Sequence, residues 1–313
     1  MSRYKLYRSN QDRINAAGFD HVPVIALATG ESHQNEQSGF RLPWLKLLNI
    51  VAYAVLYGDA LYQMYSATAV REKTKGEARR LFDLYIECGS ERVARNDSRS
   101  LLRLLEQAVA YFNLIQIHDR DFTQIGVIGE IYVKYNSFAQ AHISEWLRER
   151  NMEVMTPPVL DFIMQYFVNT QVNDSHGIIP ASLFEKMLQP LFRNYMNSRI
   201  QASEHMLSKF RFYVPCESIF TKARYAEDIL HLSNQFGEGW MIAAEVATFA
   251  RRGINKVVCI QPFGCIANHV VAKGIEKRLK KFYPQMDILY LDIDSGIAEV
   301  NLQNRLHFLI EDT

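Results

Sequence analysis

Residues 256–293 read KVVCIQPFGCIANHVVAKGIEKRLKKFYPQMDILYLDI, and this stretch decides the fold class. It holds an apolar β-branched run, a Pro-Phe-Gly turn, a basic amphipathic segment and a second apolar run. Val271, Ile275, Leu279 and Phe282 fall on one face of the middle segment, at helical spacing. Strand, helix, strand in that order and at that spacing argues for parallel strands joined by a crossover. The expectation is an α/β fold, a Rossmann-like parallel sheet with large helical insertions.

The same alternation recurs upstream. QIGVIGE (124–130) is a compact apolar run, AQAHISEWLRER (139–150) reads as a helix, and NMEVMTPP (151–158) reads as a short strand closed by two prolines. Ser137 and Gln140 have the spacing of a capping box for that helix. HVPVIAL (21–27) reads as a further strand feeding a polar loop. From about residue 42 to residue 118 the pattern is helical, and Gly89 stands where a helix C-terminal stop would be. Ser182 and Glu185 predict a capping box ahead of a long helix that Pro190 should kink or divide. The segment from 226 to 253 reads as helical on both sides of Gly237-Glu238-Gly239, and the last helix should bury Leu302, Leu306, Leu309 and Ile310.

Composition excludes several classes. The 313 residues are 48% hydrophobic, enough for one large core or two modest ones. Thirty-five basic residues against 34 acidic ones, with no block of either sign, point away from a nucleic-acid partner. No stretch approaches the ~18 consecutive apolar residues of a membrane span, and the first residues lack the apolar core of a signal peptide, so the expectation is a cytoplasmic protein with no membrane partner. Four cysteines, Cys88, Cys216, Cys259 and Cys265, are too sparse for a disulfide scaffold.

In a doubly wound sheet the ligand sits off the carboxyl ends of the strands, near the reversal of strand order. That rule selects the loops after residues 129, 260 and 291. Cys265 lies in the second, just ahead of a helix N-terminus that favours a thiolate, and reads as a metal ligand, a nucleophile or a half-buried packing residue. Cys259 reads as a second ligand or as core. Five residues separate the two, unlike the usual zinc hairpins, and an iron–sulfur site made by this chain alone would need Cys88 and Cys216 too. Asn268 and His269 could reach the same loop. Gly237 and Gly239 could present amides to a phosphate or make a helix-to-helix turn. Asp292 and Asp294 could share a cation or be solvated strand-end carboxylates. The basic run Lys277, Arg278, Lys280 and Lys281 is a solvated face or a partner for CoA or nucleotide phosphates.

Taken in order, HVPVIAL (21–27), AVLYGDALY (54–62), IGVIGEIYVKYNSFAQ (125–140), QFGEGWMIAAE (235–245), CIQPFGCIANHVVAKG (259–274) and DIDSGIAEVNLQNRLHFLI (292–310) resemble the C-terminal region of the large 2-hydroxyacyl-CoA dehydratase activase-related proteins. The resemblance covers almost the whole chain. It implies a partial first α/β lobe with a helical layer over 1–120 and a second α/β lobe with a helical insertion over 121–313, like the lobes that hold a cluster in 2-hydroxyacyl-CoA dehydratases. It implies an iron–sulfur cluster, [4Fe-4S]-like, with Cys265 and Cys259 as ligands and Glu130, Asn268 and His269 lining the site as catalytic candidates. Gly237, Gly239 and Lys273 become candidates for binding a CoA or nucleotide phosphate. It further implies a partner chain carrying a cysteine segment expected just before the equivalent of Arg3 and the ATPase modules, so that ATP acts only through the partner on an acyl-CoA substrate. Two loops depart from the family pattern: Ala267 stands where a proline is expected, and DIDSGIAE stands where Asp-Pro-Gly and a serine before Glu299 are expected. Two other readings remain: a non-catalytic module completing a partner subunit, and a cluster-free CoA- or nucleotide-binding protein.

Overall fold

A computed structural model describes residues 12–19, 22, 44–265, 267–294, 296 and 299–311, with the backbone alone for 44–46, 267 and 268. Met1–Leu48 and Asn49–Thr313 are separate compact units. In the first, residues 12–16 are helical. The strand expected at 21–27 lies outside the described residues.

The larger unit contains a four-stranded, all-parallel sheet of order β2-β1-β3-β4, built from β1 (Gln124–Gly129), β2 (Glu153–Met155), β3 (Lys256–Pro262) and β4 (Asp287–Ile293). It is an α/β, Rossmann-like sheet with helical insertions, as the alternating pattern predicts. Side-chain alternation divides β3 between the two faces. Val257 and Cys259 join the core beneath one helical layer, while Val258 and Ile260 join the core on the other side. Every one of these side chains is fully buried, as strands covered on both faces require.

The crossover from β1 to β2 runs through α4 (Ile131–Tyr135) and α5 (Ile143–Glu149), whose apolar residues pack in the second core. α11 (Glu299–Glu311) covers the same face through Leu302, Leu306 and Leu309. The other face is held by α9 (Trp240–Arg251), buried from Trp240 to Ala250. α10 (Glu276–Phe282) joins it through Leu279. Phe282 departs from expectation, being 45% exposed as the last residue of the helix. Between β3 and α10 the chain makes a π-helical segment, Ala267–Ala272, in place of the first turns of the expected α-helix.

The insertion helices are α1 (Trp44–Ala69, in the larger unit from Asn49 on), α2 (Glu77–Ala94), α3 (Ser98–Leu114), α6 (Val159–Ser175), α7 (Leu183–Leu207) and α8 (Ile219–Glu227). Ala52 and Leu56 of α1 share a core with the sheet residue Ile128. The Ser182/Glu185 capping box forms. Pro190 lies inside α7 without dividing it. Gly89 does not stop α2, which runs on to Ala94; a Cβ there would sit 2.5 Å from the Tyr57 ring, so the glycine admits α1 at close range. The expected cap at Ser137 is also replaced. α5 begins at Ile143, and the Gln140 side chain accepts from the Ser144 N–H at 3.0 Å, while the Ser137 hydroxyl donates to Glu145.

Candidate functional site

Strand order reverses between β1 and β3, because β1 passes to β2 on one side and the chain then returns to β3 on the other. The crevice off the carboxyl ends of these two strands is therefore where an open α/β sheet presents a ligand site. Its floor is Gly129, held at φ 124°. A Cβ on Gly129 would come within 1.9 Å of the Ile260 carbonyl oxygen, so only glycine lets β1 end flush against β3 and bring Glu130 to the opening. The Glu130 N–H donates to that same oxygen at 3.0 Å.

Glu130 caps α4: its Oε2 accepts from the Val133 N–H at 2.9 Å. Glu238, which sequence reading passes over in favour of its glycine neighbours, is buried and accepts from the Ile131 N–H at 2.9 Å. Burial pushes the Glu238 carboxyl up, against the pull of that backbone bond and with the Glu130 charge adding to the rise. Gly237 and Gly239 form the turn into α9. The Gly239 and Trp240 N–H groups are spent on the carbonyls of Phe236 and Asn234, which gives the pair a structural role in the turn. A side chain at Gly239 would reach 2.0 Å from the Asn234 oxygen.

Across the crevice, the β3 loop gathers a second group around Asp292 of β4. The Gln261 amide donates to Asp292 Oδ1, the Lys273 ammonium donates to Oδ2 at 3.0 Å, and His269 Nε2 lies 3.3 Å from Oδ1. Burial works to raise the Asp292 carboxyl, but the bonds from Gln261 and Lys273 and the charge of Lys273 hold it below the ordinary carboxylate range. His269 Nδ1 faces the Cys265 carbonyl at 3.1 Å. The ring thus spans the two, with Nδ1 at the Cys265 carbonyl and Nε2 at the Asp292 carboxylate. Asp294 has a different set of ties: its Oδ1 takes the Gly296 N–H at 2.6 Å. Gln261 is fully buried, and its Oε1 has no hydrogen-bond partner among the described residues.

The two expected metal ligands fall in different environments. Cys265 is half-buried in the loop leaving β3, with its N–H donating to the Pro262 carbonyl at 3.1 Å. Cys259 points the other way, fully buried in the core, and burial pushes its thiol far up, reinforced by Glu245. A thiol there keeps its proton and packs as a small apolar group. Among the described residues, no three His, Cys, Asp or Glu side chains come together as a metal-binding set. The backbone of Asn268 lies in the π-helical segment, and its side chain is outside the described atoms. The sequence points to Cys265 and His269 for the loop after β3 and to Lys273 separately, with Gly237 and Gly239, for a phosphate; the structure places Lys273 and His269 together on Asp292 and leaves Gly237 and Gly239 in the turn before α9. Sequence reading misses the ties of Gln261 and Lys273 to Asp292, for which the one signal is the parity that points alternate residues of adjacent strands to one face.

No family model, curated protein or solved structure matches the chain. Among the described residues, no helix is long and apolar enough to cross a membrane.

Proposed function

We propose that this chain is a component of an acyl-CoA dehydratase/activase-type system, anchoring an iron–sulfur cluster at the switch point through Cys265. A partner chain supplies the remaining ligands and the ATP hydrolysis. The observation that carries the reading is the place of Cys265: half-buried, in the loop leaving β3, at the reversal of strand order. The described residues do not make a whole cluster site, so Cys265 serves as one ligand of a shared site, and Cys259 stays with the core. When bound, such a cluster supplies single electrons at low potential. This chain's own residues hold the loop. Asp292 ties Lys273 and His269 to β4, and His269 in turn grips the Cys265 carbonyl, which fixes the loop carrying the thiol.

The test is anaerobic purification of the tagged chain from its own cells, with partners retained, followed by iron and acid-labile sulfide analysis. Iron and sulfide present in wild type and in Cys259→Ala but lost in Cys265→Ser support the reading. Equal iron in Cys265→Ser, or none in a well-folded wild type, overturns it. A cluster-free CoA- or nucleotide-binding protein is the second reading, favoured by Lys273, whose side chain stays 38% exposed. Its signature is a CoA-dependent rise in Tm of iron-free protein that Lys273→Ala abolishes.

A further inference from the structure

The first turns of α7 present an apolar face that the core does not use. The buried residues of this helix, Met196, Ser203 and Leu207, all lie in its second half. Phe192 leads the helix onto the core, with its ring centre 5.5 Å from that of Phe167. Ahead of it, Leu183, Phe184, Met187, Leu188 and Leu191 are between 39% and 88% exposed. At 3.6 residues per turn these five share one stripe about 140° wide. A stripe of that width normally faces a core, and no described residue covers this one. Ile178 and Ile179, in the turn from α6 to α7, are more than half exposed as well, and the 2.9 Å pair of Asp174 with Lys186 ties the end of α6 to the first turn of α7. At roughly 200 Å² for a fully exposed side chain of this size, these residues together offer on the order of 800 Å². That is beyond the ~300–600 Å² of the largest apolar patch on a typical monomer, and it matches the ~800 Å² that each partner buries in a standard protein interface.

Two features say what covers the stripe. It carries no charge of its own. Beside it Glu185 is held in the cap with Ser182, and Lys186 is paired with Asp174, so a charged partner finds little to recognise. A wholly apolar contact is closer to the composition of homodimer interfaces. The row at i, i+4 and i+8 also reads Leu183, Met187, Leu191, the same from either end. Two such helices packed antiparallel about a twofold axis at Met187 set Leu183 of one chain against Leu191 of the other and Met187 against its own copy. That self-matching is what an isologous contact requires.

We propose that two copies of this chain dimerise through the first turns of α7, with Met187 on the twofold axis. This contact goes beyond the switch-point reading and does not rest on it.

The experiment is sedimentation equilibrium of the full chain at pH 7, over about 0.1 to 50 µM. Wild type is expected at twice the chain mass, with a Kd of roughly 1 µM or below. Met187→Asp and Met187→Lys each place like charges face to face across the axis, and each should weaken dimerisation by about a hundredfold or more. The far-UV circular dichroism of both should stay that of wild type, because the side chain is exposed in the single chain. Mixing the two variants sets opposite charges across the axis and should restore a dimer to within about tenfold of wild type. Phe308→Asp, at an exposed position of α11, should leave dimerisation unchanged. If one Met187 variant does not fold, the other decides. A wild type that stays monomeric at about 50 µM overturns the proposal, including one that binds phosphatidylcholine–phosphatidylserine vesicles instead. So does an assembly larger than a dimer, a dimer unchanged in a folded Met187 variant, or a mixture that associates no better than either variant alone.

Discussion

Replacing Lys134 by methionine probes the buried charge pair that ties α4, just beyond β1, to the central helix α9. Lys134 Nζ lies 2.7 Å from Glu245 Oε1, and the two side chains are 3% and 4% exposed. Burial pushes the Glu245 carboxyl above its ordinary value of 4.5, with Lys134 pulling it back. Without the ammonium, burial acts unopposed. Removing one partner of a buried pair costs about 3–5 kcal/mol, a large part of the ~5–15 kcal/mol that holds a domain folded. Proton uptake caps the loss, since each tenfold displacement of the ionisation equilibrium is worth about 1.4 kcal/mol. The folded value of Glu245 in the variant lies further above its unfolded value than in wild type. Its protonation therefore contributes stability that is full below the unfolded value and is lost as pH rises through the folded one. The deficit of Lys134→Met against wild type should be smallest near pH 5 and grow until Glu245 is ionised in the folded variant. Removing both charges in Lys134→Met/Glu245→Leu should return stability to within about 1.5 kcal/mol of wild type, because neither buried charge then lacks a partner. Urea unfolding followed by tryptophan fluorescence at pH 5.5, 7 and 8.5 measures this, with Trp240 fully buried as a reporter. A deficit under about 1 kcal/mol at pH 8.5, or a double variant as unstable as the single one, would refute the reasoning.

Gly129→Ala should cost about 3 kcal/mol or more, from the forbidden φ and from a collision with backbone that no side-chain rotation relieves. Tm should fall by roughly 6 °C or more, and an unchanged Tm would contradict the flush packing of β1 on β3. Asp59 accepts from the Val159 and Leu160 N–H groups at 2.9 and 3.0 Å, and burial raises its carboxyl from 3.8 to about 7. Its folded value is the higher one, so it contributes stability that is present below pH 4 and lost as pH rises towards 7. Measured against the non-titrating Asp59→Asn variant, wild-type stability should decline by about 2.6 kcal/mol between pH 5 and 8, levelling above 7. A flat difference across that range would show that Asp59 does not ionise with a raised value.

Local patterns were informative where neighbours in the chain are also neighbours in space. The Ser182/Glu185 box needs only residues three apart, and it forms as written. Ser137 and Gln140 have the same spacing, but Glu145 competes for the Ser137 hydroxyl and the helix starts later, with Gln140 as acceptor. Gly89 carries the same signal as a helix stop, yet its role is set by Tyr57, 32 positions earlier, whose ring occupies the space a side chain would need. At the candidate site, the loop carrying Cys265 and His269 is picked out by the rule that such sheets present ligands after a parallel strand, whereas the tie of Lys273 to Asp292 depends on a residue 19 positions away. Glu238 was not legible, because its partner is the Ile131 N–H, 107 residues away.

What the amino-acid sequence determined by itself is the α/β class and the faces of its strands. β-branched runs alternating with amphipathic helices leave a parallel sheet as the way to bury both, and a side-chain period of two assigns Val257 and Cys259 to one core and Val258 and Ile260 to the other. What only the tertiary structure decided is which charges are matched. Lys134 meets Glu245 and Lys222 meets Asp161 across 111 and 61 residues, while Arg148 meets no carboxylate among the described residues. A buried charge is stabilised by whatever the fold brings within a few ångströms, and local spacing carries no record of that distance.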